Sequence, residues 1–270
     1  MFRPNRLKAR LAAGQKSFGT WVQSGSPTFA EIAALAGFDF FIVDQEHGPG
    51  DLQAAIDQMR AASCSDTTMV VRVPSTDPLT VRRLLDAGLE AVLVPMVETA
   101  AQARAIVDLC RFPPHGNRGN AWPITRASSY GFAGDYYERA KDNFLIMVQI
   151  ETAKAVANAR EIAAVDGVDA IFIGPTDLAG SIGVPDQTGA PEVNALIRQT
   201  VAAVQAVGKP LATVPRIGRS WQEVYADGFL MVAYNSEINI YRQALMALMR
   251  EWRESAGEAP TSATATGCST

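Results

Sequence analysis

The chain has 270 residues, 48% of them hydrophobic and 19% charged, with a formal net charge of -4. This much apolar material fills a large core and excludes wholesale disorder. The mild acidity, with no basic block, leaves no electrostatic footprint for nucleic acid, and no apolar run approaches the ~18 residues of a membrane span. Cys64, Cys110 and Cys268 form no paired motif or disulfide framework, which suits a reducing cytoplasm. The basic stretch Phe2–Leu11 lacks the apolar centre of a signal peptide. The histidines are His47 and His115, so a three-histidine metal site is excluded.

In chain order, Arg6–Ala13 reads as a short helix plugging a barrel floor. Runs rich in β-branched and aromatic residues predict strands at Ser17–Gln23, Phe38–Gln45, Thr68–Val73, Ala91–Val97, Phe144–Ile150, Ala170–Gly174, Pro210–Val214 and Phe229–Tyr234. Between them, helices are predicted at Thr28–Ala36, Asp51–Ser63, Asp77–Ala87, Ala100–Leu109, Lys154–Ala164, Glu192–Val207 and Arg219–Ala226, with a last one over about Glu237–Trp252. Ser26, Asp51 and Thr76 are candidate N-caps. Gly37, Gly88, Gly167 and Gly228 stand where a left-handed C-cap favours glycine. Eight strand–helix units without a composition break predict a single (β/α)8 barrel, an α/β fold, over residues 1–254. A doubly wound open sheet is disfavoured because no GxGxxG follows the first strand. Arg111–Asp142, after strand four, is rich in glycine, proline and arginine and reads as a lid or an interface segment. The small polar stretch 255–270 reads as a disordered tail.

Barrel chemistry collects at the C-terminal ends of strands. Alternation along FLIMVQIET turns Ile146, Val148 and Ile150 outward and Met147, Gln149 and Glu151 inward. The next strand ends in Gly174-Pro175-Thr176-Asp177. Glu151 and Asp177, from neighbouring strand ends, either provide an oxygen site for a hard divalent cation or cap the helices that follow. Arg72 points inward from a valine run, either clamping a substrate anion or pairing with Asp44 or Glu46. His47, beside Asp44 and Glu46 at a strand end, suits a general base. His115 reads as peripheral, and Trp21 and Phe41 as core or wall. Lys8, Lys16, Lys141, Lys154 and Lys209 all miss the strand ends, which disfavours Schiff-base chemistry. GxSxG, GxxxxGK and HExxH are absent from the sequence.

Taken together, FDFFIVDQEHGPGD, VVRVPSTDP, AGLEAVLVPMVETAAQA, PPHGNRG, IMVQIETAKAV and DAIFIGPTDLAGSIGVP resemble the HpcH/HpaI aldolase family over roughly Leu7 to Ala247. The resemblance implies a metal-dependent lyase, a class II aldolase that interconverts 4-hydroxy-2-oxo acids with pyruvate and an aldehyde through a metal-stabilised pyruvate enolate. It implies Glu151 and Asp177 as ligands of Mg²⁺, Mn²⁺ or Co²⁺, Arg72 as the enolate-stabilising group, and His47 with Asp44 as a proton-transfer dyad. Gln149, Thr176, Asp177 and Arg126 are implied around the substrate, and Asp86 in a neighbouring subunit's site. A homohexamer with exchanged last helices is implied as well. Gln45, the lid sequence NAWPITRASSYG and the AYNSEI end of strand eight depart from the family pattern. A citryl- or malyl-CoA-type lyase and a non-catalytic binding barrel are the alternatives. A lyase of the first kind needs a basic surface, for which Arg111, Arg118 and Arg126 are candidates.

Overall fold

The computed structural model describes residues 2–257. Eight parallel strands close into a barrel in sequence order. They are β1 (Ser17–Val22), β2 (Phe40–Asp44), β3 (Thr68–Arg72), β4 (Ala91–Val94), β5 (Leu145–Ile150), β6 (Ala170–Ile173), β7 (Leu211–Thr213) and β8 (Met231–Ser236). The helices are α1 (Arg6–Ala12), α2 (Pro27–Leu35), α3 (Leu52–Ala62), α4 (Pro78–Asp86), α5 (Ala100–Cys110), α6 (Tyr136–Asn143), α7 (Ala153–Ala157), α8 (Ala159–Ala163), α9 (Pro175–Ser181), α10 (Pro191–Gln205), α11 (Trp221–Ala226) and α12 (Glu237–Ala256). Two of them, α6 and α9, are short and lie outside the predicted elements, and the helix predicted at 154–164 divides at Asn158 into α7 and α8. The last helix runs beyond Trp252 to Ala256, so the stretch predicted as tail begins in helix, and from residue 258 it lies outside the described residues.

Period-two alternation sorts the core into two layers. Phe41, Val43, Val71, Ile146, Val148 and Ile150 pack outward against helices. Phe40, Ile42, Val70, Leu93, Met147 and Phe172 fill the barrel interior with Leu7 and Leu11 of α1, which seals the floor as the sequence predicts. Gly37, Gly88, Gly167 and Gly228 all have φ between 85° and 95° and end helices in the left-handed region.

The segment between α5 and α6 returns to the rim that carries the strand N-termini. There Arg118 pairs with Asp86 at 2.9 Å and Arg126 donates to the carbonyl of Ala87 at 2.8 Å. The main-chain N–H of Phe2 donates to Ser129 on the same side. A helix-to-strand connection in this fold ends on the floor side, so this segment is no lid over the mouth of its own barrel.

Candidate active site

At the mouth, the last inward positions of β2 and β3 are Asp44 and Arg72, adjacent in register. Arg72 donates to Asp44 from Nε at 2.9 Å and from Nη2 at 2.6 Å, and its Nη1 stands 3.2 Å from Glu46. The guanidinium lies over the Trp21 ring at 4.6 Å, so Trp21 is a wall of the site. Gln23 donates to Asp44 at 3.2 Å. Burial pushes the Asp44 carboxyl upward, but the Arg72 hydrogen bonds and charge outweigh it and leave the group below the usual range.

His47 is exposed on the turn after β2. Asp44 accepts from the main-chain N–H of His47 at 3.3 Å, whereas the imidazole Nε2 faces Glu46 at 3.8 Å. The imidazole makes no hydrogen bond to Asp44 among the described residues; Arg72 joins Asp44 to Glu46, and the ring stands beside Glu46. Asp44 is saturated by Arg72 and by two main-chain N–H groups, which leaves Glu46 as the residue that meets the ring. Glu46 has its pKa raised by burial, with Asp44 and Asp177 adding to the rise.

Glu151, 1% exposed just past β5, accepts from the amide of Met96 at 2.7 Å and from the side-chain amide of Gln149. Its pKa is pushed up to about 7, first by burial and then by the charges of Asp177 and Glu46. Met96 holds its N–H toward Glu151 from a left-handed conformation, φ 56°. Sequence reasoning missed it because a main-chain contact leaves no side-chain signature; a residue flanked by Pro95 and Val97 offers no hint of that geometry. Asp177 and Thr176 sit exposed in the first turn of α9. Gly174 closes the gap between β5 and β6: a Cβ there would lie 2.7 Å from both Gln149 Nε2 and Glu151 Oε2.

A divalent cation fits these residues. The donors are hard carboxylate oxygens, the buried negative charge of Glu151 has only amide partners, and the glycine leaves room beside it. The chain offers a pair rather than a cage, since no group of three or more His, Cys, Asp or Glu side chains is arranged to hold a metal among the described residues. The structure brings Asp44, Glu46, His47, Arg72, Gln149, Glu151, Thr176 and Asp177 to one mouth. It does not bring Asp86 or Arg126 there: both lie on the floor rim.

Inward carboxylates and an arginine at the C-terminal mouth of a (β/α)8 barrel form an enzyme-type site, and similarity to aldolases makes it one of the carbon–carbon lyase class. The HpcH/HpaI aldolase/citrate lyase family model matches residues 17–244, and the chain belongs to that family. It is 38% identical over 257 residues to a hydroxypyruvate/pyruvate aldolase of Agrobacterium fabrum, covering 95% of this chain and 96% of the relative. It is also 38% identical over 245 residues to a 5-keto-4-deoxy-D-glucarate aldolase of Klebsiella pneumoniae, covering 91% and 95%. A crystal structure of a family member from Burkholderia cenocepacia superposes with a TM-score of 0.88 at 32% identity, covering 92% of this chain and 99% of that one. Among the described residues no helix is long and apolar enough to cross a membrane.

Proposed function

We propose that this chain is a divalent-cation-dependent aldolase that cleaves 4-hydroxy-2-oxo acids to pyruvate and an aldehyde, and joins them in reverse. The carrying observation is the buried Glu151 carboxylate, faced by Asp177 and Glu46 and hydrogen-bonded only by amides. Glu151 and Asp177 would hold Mg²⁺, Mn²⁺ or Co²⁺, which supplies Lewis-acid stabilisation of negative charge on the 2-oxo acid. Arg72, locked by Asp44 and Glu46, directs positive charge at the developing oxyanion. Gln149, whose Oε1 is buried without a hydrogen-bond partner, and Thr176 orient the substrate. His47, steadied by Glu46, takes the proton of the 4-hydroxyl as the C3–C4 bond breaks. The bonding electrons pass to C3, the aldehyde leaves, and return of a proton to C3 gives pyruvate.

The relatives' names support a pyruvate or hydroxypyruvate donor. Asp86 and Arg126, on the opposite rim, are assigned to the mouth of another subunit in a homo-oligomer, a hexamer by family resemblance. The exposed apolar side chains Ile238, Tyr241, Leu245, Leu248 and Trp252 of α12 support such assembly. The unpaired Cys64 and Cys110 thiols suit a cytoplasmic location. A screen of 4-hydroxy-2-oxo acids coupled to pyruvate detection tests the reading. Chelation is expected to abolish turnover and added Mn²⁺, Co²⁺ or Mg²⁺ to restore it; full activity in metal-free protein overturns it.

A further inference from the structure

Outside the barrel mouth, a groove of about 550 Å³ opens between α10 and the segment that leads from β7 into α11. Helix α10 has 15 residues and α11 has 6, so the shorter helix leaves part of its neighbour uncovered. The charged residues of the lining are Arg198 on α10, Arg216 and Arg219 before α11, and Asp227 after it. Ile197, Val201 and Phe229 give the groove an apolar base. It shares no lining residue with the mouth around Arg72. The two arginines before α11 sit on one tight turn, in which the main-chain N–H of Arg219 donates to the carbonyl of Arg216 at 2.9 Å. That turn is tied down by the main-chain N–H of Ile217, which donates to Thr188 at 3.2 Å.

Three guanidinium groups therefore meet one carboxylate in the lining, and that carboxylate is already engaged. Arg219 donates to Asp227 Oδ1 from Nη2, while its Nη1 donates to Glu223 at 3.3 Å. Arg216 stands 3.9 Å from the other oxygen of Asp227, too far for a hydrogen bond. Its side chain is only 5% exposed. Nε donates to Asn194 Oδ1 at 2.9 Å, and the amide of Asn194 is oriented by donating to the carbonyls of Gly189 and Ala190 at 2.8 and 3.1 Å. Nη1 of Arg216 is buried with no hydrogen-bond partner, which is costly for a charged group. Arg198 is exposed and meets neither a carboxylate nor another acceptor among the described residues. Burial lowers the Arg216 pKa, Asp227 opposes the fall, and the charges of Arg219 and Arg198 add to it.

We propose that this groove is a second ligand site, separate from the mouth, that binds a phosphate dianion through Arg198, Arg216 and Arg219. A purely structural Arg216 would have its fork closed by Asp227. Here Asp227 makes its hydrogen bond to Arg219, and Arg216 keeps an unmet N–H edge. Three positive charges against one negative leave an excess that matches the two charges of a phosphate rather than the one of a carboxylate. Planar guanidinium forks meet the oxygens of a tetrahedral oxyanion two at a time. The dianion comes either as the free ion or as an ester of a small metabolite, whose organic part would lie on Ile197, Val201 and Phe229.

The test is calorimetry on the full-length protein with Mg²⁺ at constant ionic strength, using glycerol 3-phosphate, inorganic phosphate and acetate as probes. At least one phosphate is expected to bind about ten-fold or more tightly than acetate, the worth of one added hydrogen bond between charged groups. Tighter binding of glycerol 3-phosphate assigns an organic phosphate, and equal or tighter binding of inorganic phosphate assigns the free ion. Arg198→Glu is expected to weaken the phosphate at least about ten-fold, and Arg198→Lys to restore most of the loss. Arg198 is exposed, so both variants should keep the wild-type circular dichroism spectrum. Arg216→Met is expected to abolish binding; if that variant fails to fold, the Arg198 pair decides alone. Phosphate affinity no better than that of acetate overturns the inference. Wild-type phosphate affinity in Arg198→Glu does so as well, because it places any bound phosphate elsewhere on the molecule.

Discussion

Asp44 grips Arg72 through two hydrogen bonds, Nε to Oδ1 at 2.9 Å and Nη2 to Oδ2 at 2.6 Å, with both side chains buried. The fork-on-fork geometry fixes the guanidinium plane, which a lysine cannot reproduce. Arg72→Lys is therefore expected to fold, to keep its circular dichroism spectrum and to lose roughly 10²–10³-fold in kcat, the usual cost of one misplaced oxyanion donor. Asp44→Ala leaves Arg72 buried beside Glu46 alone. It should lower unfolding stability by about 3–5 kcal/mol, the cost of breaking a buried pair from one side, in a urea titration. Unchanged turnover in Arg72→Lys would show that the charge works without its orientation.

The raised Glu151 pKa makes a signed prediction for metal-free protein. An ordinary glutamate carboxyl in the unfolded chain titrates near 4.5, and burial in the fold pushes it up to about 7. Between those values the native state binds one proton more than the unfolded state, so unfolding free energy falls as pH rises from about 4.5 through 7. The group destabilises the fold fully above pH 7 and not at all below pH 4.5, a difference on the order of 3 kcal/mol. Glu151→Gln should remove that slope, read as the difference between wild-type and variant urea midpoints at pH 5 and pH 8 after chelation. Cation affinity measured by calorimetry should rise across the same interval, because the ion competes with the proton. Parallel pH profiles in wild type and variant would contradict this assignment.

The inward phase of β5 is legible in the sequence because a strand has a period of two. Placing Ile146 outward commits Gln149 to the interior and Glu151 to the mouth. The floor plug by Leu7 and Leu11 and the glycine C-caps are legible for similarly local reasons. The partner of His47 is not: Asp44 and Glu46 both precede it within three residues, and only the register that sets Asp44 beside Arg72 leaves Glu46 next to the imidazole. The position of 111–135 escapes a reading by composition, since glycine, proline and arginine mark a loop without saying which rim it joins. Connectivity decides that, because the segment lies, with α6, in the connection from α5 to β5. Asn235 and Asn239 carry no motif at all, and only the closing of β8 against β1 brings them beside Gln23.

Met96 and Gly174 shape the Glu151 carboxylate from two sides without contributing a side chain to it. A left-handed methionine costs about 1–3 kcal/mol of backbone strain, which glycine does not pay. Met96→Gly should keep activity and gain stability, whereas the β-branched Met96→Val should lose both, because valine resists that conformation most. Gly174→Ala drives a methyl into Gln149 and Glu151 and is expected to weaken cation binding roughly 10–100-fold, as changes next to metal ligands do. Thermal melts with and without Mn²⁺ separate the two effects: strain shifts both curves, and lost ligand geometry shrinks the gap between them.

Asp86 lies on the floor rim, held by Arg118 at 2.9 Å, while Arg72 faces the mouth. If assembly sets the floor of one subunit against the mouth of another, Asp86→Ala and Arg72→Lys damage two halves of a composite site carried by different chains. Each variant alone is expected to fall at least about 10²-fold in kcat/KM. Mixing them after dissociation and reassembly creates interfaces that join an intact mouth to an intact floor rim, and activity should return to a fraction set by the mixing ratio, up to about one quarter per site at equal amounts. Light scattering on each variant before mixing establishes that both still assemble. Failure of the mixture to exceed the mean of its components, with assembly intact, would confine Asp86 to its bond with Arg118.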